Sequence, residues 1–122
     1  MPYNDVDLTN ENVCGKDCLL GAHTVIVVDE KHSIVDVATN IAKFYEFESC
    51  GKCTPCREGT MRILNILENI SLLEAKKKDL DTLQELAEVV KETSYCGLGQ
   101  TATQHLLNAL KFFRKEFEEK CR

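Results

Sequence analysis

Cysteine content is the feature that most constrains this sequence. Seven cysteines occur among 122 residues, and three of them, Cys50, Cys53 and Cys56, follow one another at C-x2-C-x2-C spacing. Such a density indicates a disulfide framework, a metal or cluster site, or scattered buried thiols. The count is odd and no secretory leader follows Met1, so we expect a cytoplasmic protein with reduced thiols. Metal or cluster ligation is therefore the leading hypothesis.

Length and charge limit the other classes of function. A chain of 122 residues with 43% hydrophobic content is long enough to bury one domain core. Its net charge of -5 gives no overall attraction to nucleic acid or to an anionic membrane. The longest apolar runs, such as residues 24–28, are far too short to cross a bilayer. We expect no nucleic-acid partner and no membrane insertion.

From Ser33 onward the apolar pattern has the period of a helix. Four such segments with short connections predict a mainly α fold, a four-helix bundle over residues 33–122. Lys76–Lys78 is interpreted as a solvated connection, after which Asp79 or Asp81 caps the third helix. The predicted core stripes of the four helices are Ile34, Val37, Ala38, Ile41 and Tyr45; Ile63, Leu67 and Ile70; Leu80, Leu83, Leu86, Ala87 and Val90; and Ala102, Leu106, Ala109, Leu110, Phe113 and Phe117.

The starts of the first two helices carry capping patterns. Ser33 with Asp36 three positions later forms an approximate capping box. Thr54 is a suitable N-cap, and Pro55 fits the first helical position because its missing N–H has no partner there. The fourth helix is expected to follow the glycine pair Gly97 and Gly99.

The N-terminal part differs from the rest of the chain. Residues 1–23 are polar and show no sustained period, which predicts an irregular segment. Residues 24–28 are β-branched throughout, which is typical of a short strand buried on both faces. We interpret residues 1–32 as an irregular segment followed by a short β remnant.

The spacing of the clustered cysteines favours an iron–sulfur cluster over zinc. A zinc ion usually takes its ligands from two separated pairs, whereas a cubane presents separate irons to successive cysteines of one loop. The fourth cysteine of the bacterial ferredoxin run is absent, because Cys56 is followed by Arg57 and Glu58. Cys96 is the best candidate for the fourth ligand, since Gly97 and Gly99 allow the backbone to approach a bulky centre.

Local chemistry agrees with this assignment. Cys56 falls in the first turn of the second helix, where free N–H groups and the helix dipole favour a thiolate. Lys52 and Arg57 flank the same loop, and Tyr95 and Leu98 are expected to exclude water from the far side.

The remaining candidate ligands have no closely spaced partners. Cys14 and Cys18 are interpreted as unligated thiols rather than half of a second metal site, and Cys121 as loose. The lone histidines are interpreted as surface or helix-end residues, and three phenylalanines as helix packing rather than a base-stacking platform. These residues are His23, His32 and His105, and Phe112, Phe113 and Phe117.

Two segments carry a specific resemblance. Residues 48–60 resemble the iron–sulfur motif near the C-terminus of the NADH-binding flavoprotein subunit of respiratory complex I. Residues 93–102 are similar to the matching segment in flavoprotein subunits of NAD(P)-linked and electron-bifurcating iron hydrogenases and of related formate dehydrogenases. Residues 25–38 resemble the end of a soluble-ligand-binding β-grasp domain and the entry to the cluster domain. The resemblance covers residues 20–118.

The resemblance implies one 4Fe–4S cluster in a four-helix domain, with Cys50, Cys53, Cys56 and Cys96 as ligands. It also implies partners, namely a flavoprotein that oxidises NAD(P)H and further iron–sulfur subunits of a multi-subunit oxidoreductase. None of the six glycines forms a phosphate-binding loop, so FMN and NAD(H) are expected only on a partner or a missing domain. An excised segment and a stand-alone cluster subunit both remain open.

Two functions from different classes follow. The first is an electron-transfer module that carries one 4Fe–4S cluster and relays single electrons between a flavoprotein and other clusters, with no catalytic side chain of its own. The alternative is a structural or interaction module in which a four-thiolate zinc site staples a helical bundle and has no redox role. Iron content and visible absorption distinguish the two.

Overall fold

Four long helices and one short helix make up the fold. The computed structural model describes residues 26–122, and the helices are α1 (Ile34–Glu48), α2 (Thr54–Ser71), α3 (Lys77–Thr93), α4 (Gly97–Thr101) and α5 (Gln104–Glu119). Helix α1 packs on α2 and α5, and α3 packs on the same two helices, so the four long helices close into a bundle. The predicted mainly α architecture is confirmed. No helix within residues 26–122 is long and apolar enough to span a membrane.

All four long helices contribute to one core. Leu67 and Ile70 of α2, Leu80 and Leu83 of α3, and Phe117 of α5 are fully or almost fully buried. Burying a side chain of this size contributes roughly 1.5–3 kcal/mol relative to leaving it exposed. The predicted stripe of α2 is confirmed, since Ile63, Leu67 and Ile70 are all buried.

The predicted β remnant is wrong over the part that the structure describes. Ile26, Val27 and Val28 are outside any strand, and Val27 is 91% exposed rather than buried on both faces. Residues 26–122 contain no strand, so these three residues have no described partner to pair with. Thr24, Val25 and residues 1–23 lie outside the described residues.

The first turn of α1 is capped from a distant helix. Ser33 makes no capping hydrogen bond of its own, so the predicted Ser33–Asp36 box is wrong. Instead, the Ser33 hydroxyl and the backbone N–H of Ile34 donate to Oε1 of Glu116 in α5, at 2.7 and 2.8 Å. A carboxylate here satisfies a free donor and faces the positive end of the α1 dipole.

The other helix starts shift by one or a few residues from the prediction. Cys53, not Thr54, is the N-cap of α2, so Pro55 occupies the second helical position. Helix α3 begins at Lys77, and Asp79 lies inside its first turn, where its carboxylate accepts the backbone N–H of Lys76 at 2.7 Å. Asp79 therefore supports the start of α3 from within the helix.

The buried face of α1 is rotated from the predicted stripe. Ile34, Val37, Ile41 and Tyr45 are only half buried. The fully buried face contains Val35, Ala38, Thr39 and Ala42. Thr39 contacts Ser71 of α2 through its hydroxyl, and the carbonyl of Ala38 contacts His105 of α5. Two neighbouring helices therefore set the buried face together.

Helix α5 is kinked, and the kink changes which phenylalanines are buried. Phe117 is fully buried as predicted, but Phe112 and Phe113 are exposed, so their assignment to packing is wrong. The backbone at Phe113 leaves helical geometry, with φ -126° and ψ 24°. A kink rotates the residues that follow it relative to those before it.

Candidate metal centre

The three clustered cysteines lie in the turn between α1 and α2. Cys50 is exposed, Cys53 is half buried at the N-cap of α2, and Cys56 is buried in the first turn of that helix, as predicted. The turn passes through Gly51 at φ +72°, a conformation that glycine adopts without strain. Arg57 donates from Nη1 to the carbonyl of Gly51 at 2.8 Å, which ties the turn to the helix.

A hydroxyl contacts the buried cysteine. Oγ of Ser49 lies 3.3 Å from Sγ of Cys56, and the backbone N–H of Gly51 donates to the same oxygen at 3.3 Å. Because the hydroxyl oxygen accepts from Gly51, its proton is available for the sulfur. Sequence reasoning missed Ser49, although a hydroxyl residue directly before the first cysteine was the pattern to notice.

The fourth candidate cysteine lies in the turn between α3 and α4. Cys96 is exposed and is the N-cap of α4, while Ser94 is buried. Leu98 is half buried, but Tyr95 is 85% exposed. The prediction that Tyr95 excludes water is therefore wrong, because its side chain lies almost entirely in solvent.

The two cysteine-bearing turns meet. A Cβ on Gly99 would lie 2.5 Å from Oγ of Ser94 and 3.2 Å from Cβ of Cys56, so only glycine fits between them. At Gly97, by contrast, a Cβ would have no protein atom within 4 Å. The approach of these two glycines to an inorganic centre stays a prediction.

Cys53 lies in an environment that favours the thiolate. The backbone amide of Tyr95, in the other turn, is the largest cause that lowers the pKa of Cys53, and the amide of Cys56 adds to it. Arg57 lowers the same pKa through its charge. Cys53 also stands at the N-terminus of an 18-residue helix, where the dipole favours an anion. The thiolate is the form that binds iron or zinc.

The donor set of the two turns consists of free thiols, which both zinc and iron–sulfur clusters accept. Cys50, Cys53, Cys56 and Cys96 are all free thiols. Between residues 26 and 122, however, no three His, Cys, Asp or Glu side chains lie close enough to hold one metal ion. A cubane does not require such a compact set, because each thiolate binds a different iron. Four free thiols on two adjoining turns, one with a lowered pKa, therefore fit a 4Fe–4S cluster.

The remaining candidate ligands lie away from the two cysteine-bearing turns. The prediction that Cys121 is loose is wrong, because its side chain packs on the core and burial raises the pKa of its thiol. The backbone N–H of the next residue, Arg122, donates to the carbonyl of Ala75 at 2.9 Å. His32 is exposed, whereas His105 is half buried at the start of α5. Cys14, Cys18 and His23 lie outside the described residues.

Comparisons with known proteins agree with this picture. A family model described as NADH-ubiquinone oxidoreductase-F iron-sulfur binding region matches residues 36–120. The chain is 39% identical over 115 residues to an NADH-quinone oxidoreductase subunit of Streptomyces coelicolor, covering 94% of this chain and 26% of that protein. It is 38% identical over 114 residues to the NADP-reducing hydrogenase subunit HndC of Solidesulfovibrio fructosivorans, covering 93% of this chain and 23% of that protein.

Solved structures show the same relationship. An NAD+-reducing [NiFe]-hydrogenase in the H2-reduced state matches with a TM-score of 0.75 and 33% identity, over 79% of this chain and 17% of that chain. The chain spans about a quarter of the length of the curated relatives. The family match extends over most of the chain and includes all four candidate cysteines. The chain therefore belongs to the NADH-ubiquinone oxidoreductase-F iron–sulfur binding family, whose cofactor is a 4Fe–4S cluster.

Proposed function

We propose that this chain relays single electrons through one 4Fe–4S cluster held by Cys50, Cys53, Cys56 and Cys96. The observation that carries the proposal is the contact between the two cysteine-bearing turns, where Gly99 packs against Cβ of Cys56. This contact places parts of both cysteine-bearing turns side by side, which supports one shared site. The cluster domain is residues 33–122.

Each part of the site has a role in holding the cluster. The lowered pKa of Cys53 favours the thiolate, which is the ligating form. The Ser49 hydroxyl orients the buried Cys56 sulfur and stabilises its negative charge. Cys50 and Cys96 are exposed, which leaves a side of the site open to an electron-exchange partner. The bound cluster supplies the one-electron redox chemistry, and the chain supplies ligands, hydrogen bonds and burial.

We further propose that the module works inside a larger oxidoreductase in the cytoplasm. Relatives are named as a subunit of NADH-quinone oxidoreductase and a subunit of NADP-reducing hydrogenase. Electrons would pass between an FMN-containing flavoprotein that oxidises NAD(P)H and further iron–sulfur clusters. The sequence has no glycine-rich phosphate loop, which supports binding of FMN and NAD(H) outside these residues.

Analysis of the anaerobically purified full chain tests the proposal. We expect a brown protein with about four irons and four acid-labile sulfides per chain, which takes up one electron in a redox titration. A folded, colourless protein with one zinc would support the structural alternative and overturn the proposal.

Two variants locate the ligands. Cys96→Ala should lose or strongly alter the visible absorption, because the cluster would lack one thiolate. Cys121→Ala is the matched control, since Cys121 is also a free cysteine but packs on the core next to the chain segment around Ala75. Its spectrum should equal that of the wild type. An unchanged spectrum in Cys96→Ala would remove Cys96 from the ligand set.

A further inference from the structure

Ser94 carries a buried hydroxyl that has no hydrogen-bond partner in the part of the chain that the structure describes. Ser94 is only 5% exposed, and its Oγ has no hydrogen-bond partner among residues 26–122. Leaving a buried hydroxyl unpaired costs free energy, so such groups are rare unless a ligand or water satisfies them. A partner for this hydroxyl is therefore expected.

The backbone of Ser94 is fixed on both sides. Its N–H donates to the carbonyl of Val90 at 3.1 Å, and its own carbonyl accepts from Nε2 of Gln100 at 3.1 Å. The position of Ser94 is thus fixed by backbone hydrogen bonds that do not involve its hydroxyl. Oγ, the polar atom of the Ser94 side chain, therefore makes no hydrogen bond within residues 26–122.

The hydroxyl lies beside the cysteine turn. A Cβ at Gly99 would be 2.5 Å from Oγ of Ser94 and 3.2 Å from Cβ of Cys56. Gly99 therefore packs against Ser94 and Cys56 at the same place. Ser94 is also two residues from Cys96. The proposed site offers sulfur acceptors, namely the cysteine thiolates and the sulfides of a bound cluster.

We propose that the Ser94 hydroxyl donates a hydrogen bond to a sulfur of the 4Fe–4S centre, either a cysteine thiolate or an inorganic sulfide, and thereby raises its reduction potential. The inference rests on the proposed function. Reduction adds negative charge to the centre, and a donor to sulfur stabilises the reduced form more than the oxidised form. Ser94 is then a residue that tunes the centre, in addition to the four ligands.

Ser94→Ala tests the proposal, because it removes only the hydroxyl and keeps the Cβ that packs on Gly99. In a redox titration of the cluster-loaded full chain followed by electron paramagnetic resonance, the equilibrium constant for reduction should fall about tenfold. That change equals about 59 mV for a one-electron couple. Iron and sulfide content should stay at the wild-type value.

Ser71→Ala is the matched control. Ser71 ends α2, and its hydroxyl donates to Asp36 at 3.1 Å, so it is a bonded serine at the opposite end of the helix from the cysteines. Its variant should keep the wild-type potential. A cluster-loaded Ser94→Ala chain with the wild-type potential overturns the inference but leaves the proposed function standing. A wild-type chain that assembles no cluster overturns both.

A second measurement does not require the variant to hold the cluster. In the cluster-free chain, Ser94→Ala should be at least as stable towards urea as the wild type, because it removes an unpaired buried group. Ser71→Ala should be less stable, because it removes a bonded one. A cluster-free Ser94→Ala chain that is clearly less stable than the wild type would show that the hydroxyl has a partner within the protein, and the inference would be wrong.

Discussion

His105 is the residue whose environment departs most from its ordinary chemistry. It lies at the start of α5 with its ring stacked on Tyr45 of α1, with centroids 6.0 Å apart and an interplanar angle of 7°. Nε2 lies 3.3 Å from the carbonyl of Ala38. Burial lowers the pKa of His105 from 6.5 to about 4, and the Ala38 carbonyl opposes that shift only in part. His105 is therefore neutral in the folded chain at neutral pH, and its Nε2–H donates to Ala38.

This environment predicts an acid-sensitive bundle. Because the pKa is depressed in the folded chain, the unfolded chain takes up the proton first as the pH falls below about 6.5. The stability that the neutral ring contributes is complete above that pH and is lost towards pH 4, where the folded ring protonates. Between pH 7.5 and 5.0 the wild type should lose about 2 kcal/mol more unfolding free energy than His105→Gln.

Urea denaturation at the two pH values measures this difference. The same measurement is made on the wild type and on His105→Gln under identical conditions. Parallel curves for the wild type and His105→Gln would contradict the prediction.

Two serines show the limit of sequence reasoning at a site. The spacing of Cys50, Cys53 and Cys56 predicts a cluster-binding loop, because ligands close in sequence need only local geometry to converge. Ser49 contacts the sulfur of Cys56, and Ser94 packs on Gly99 beside the same cysteine. Serine is common at helix ends and turns, so its position in the sequence does not distinguish a capping hydroxyl from one that faces a ligand.

At the scale of helices, the local sequence patterns predicted where the helices lie better than they predicted which face each helix buries. The period of apolar residues predicted all four long helices, and Pro55 correctly marked the start of α2. The face that α1 buries depends on two neighbours, α2 and α5, and a single-helix stripe does not contain that information. The exposure of Phe113 follows from a kink in α5, which no proline or glycine at that position announces.

The first turn of α1 is capped by a residue of another helix, whereas the sequence pattern predicted a cap by residues next to it in the chain. Glu116 is 83 positions from Ser33 and accepts both the Ser33 hydroxyl and the Ile34 amide. We expect Glu116→Ala to lower the unfolding free energy by about 1 kcal/mol, the usual cost of losing a helix cap. Helix α1 should then fray at its first turn, which amide hydrogen exchange at residues 33–37 would detect.

Glu119→Ala is the matched control for this substitution. Glu119 lies on the same helix three residues later and is exposed, so its removal should change stability by less than about 0.5 kcal/mol. Equal stability of the two variants would mean that the carboxylate of Glu116 does not cap α1 in solution.

In the whole molecule, the apolar core and the cysteine turns are separate parts. Within residues 26–122, sixteen buried residues from the four long helices and the α2–α3 connection form the core, and none of the four candidate ligands is among them. Cys56 is buried, but it packs with Ser49 and Gly99 in the turns. The fold is therefore stabilised mainly by apolar burial, and we expect the cluster to affect mainly the two turns.

Removal of the cluster tests this division. Many small metal-binding domains unfold without their metal because they lack a sufficient core. Here the core lies outside the turns, so after anaerobic chelation of iron the chain should keep its far-ultraviolet circular dichroism and a cooperative urea transition. Hydrogen exchange should rise at residues 49–53 and 94–99, while the interiors of α2 and α3 around Leu67 and Leu83 keep their protection. Loss of helical signal together with the iron would show instead that the cluster, rather than the helical core, holds the bundle together.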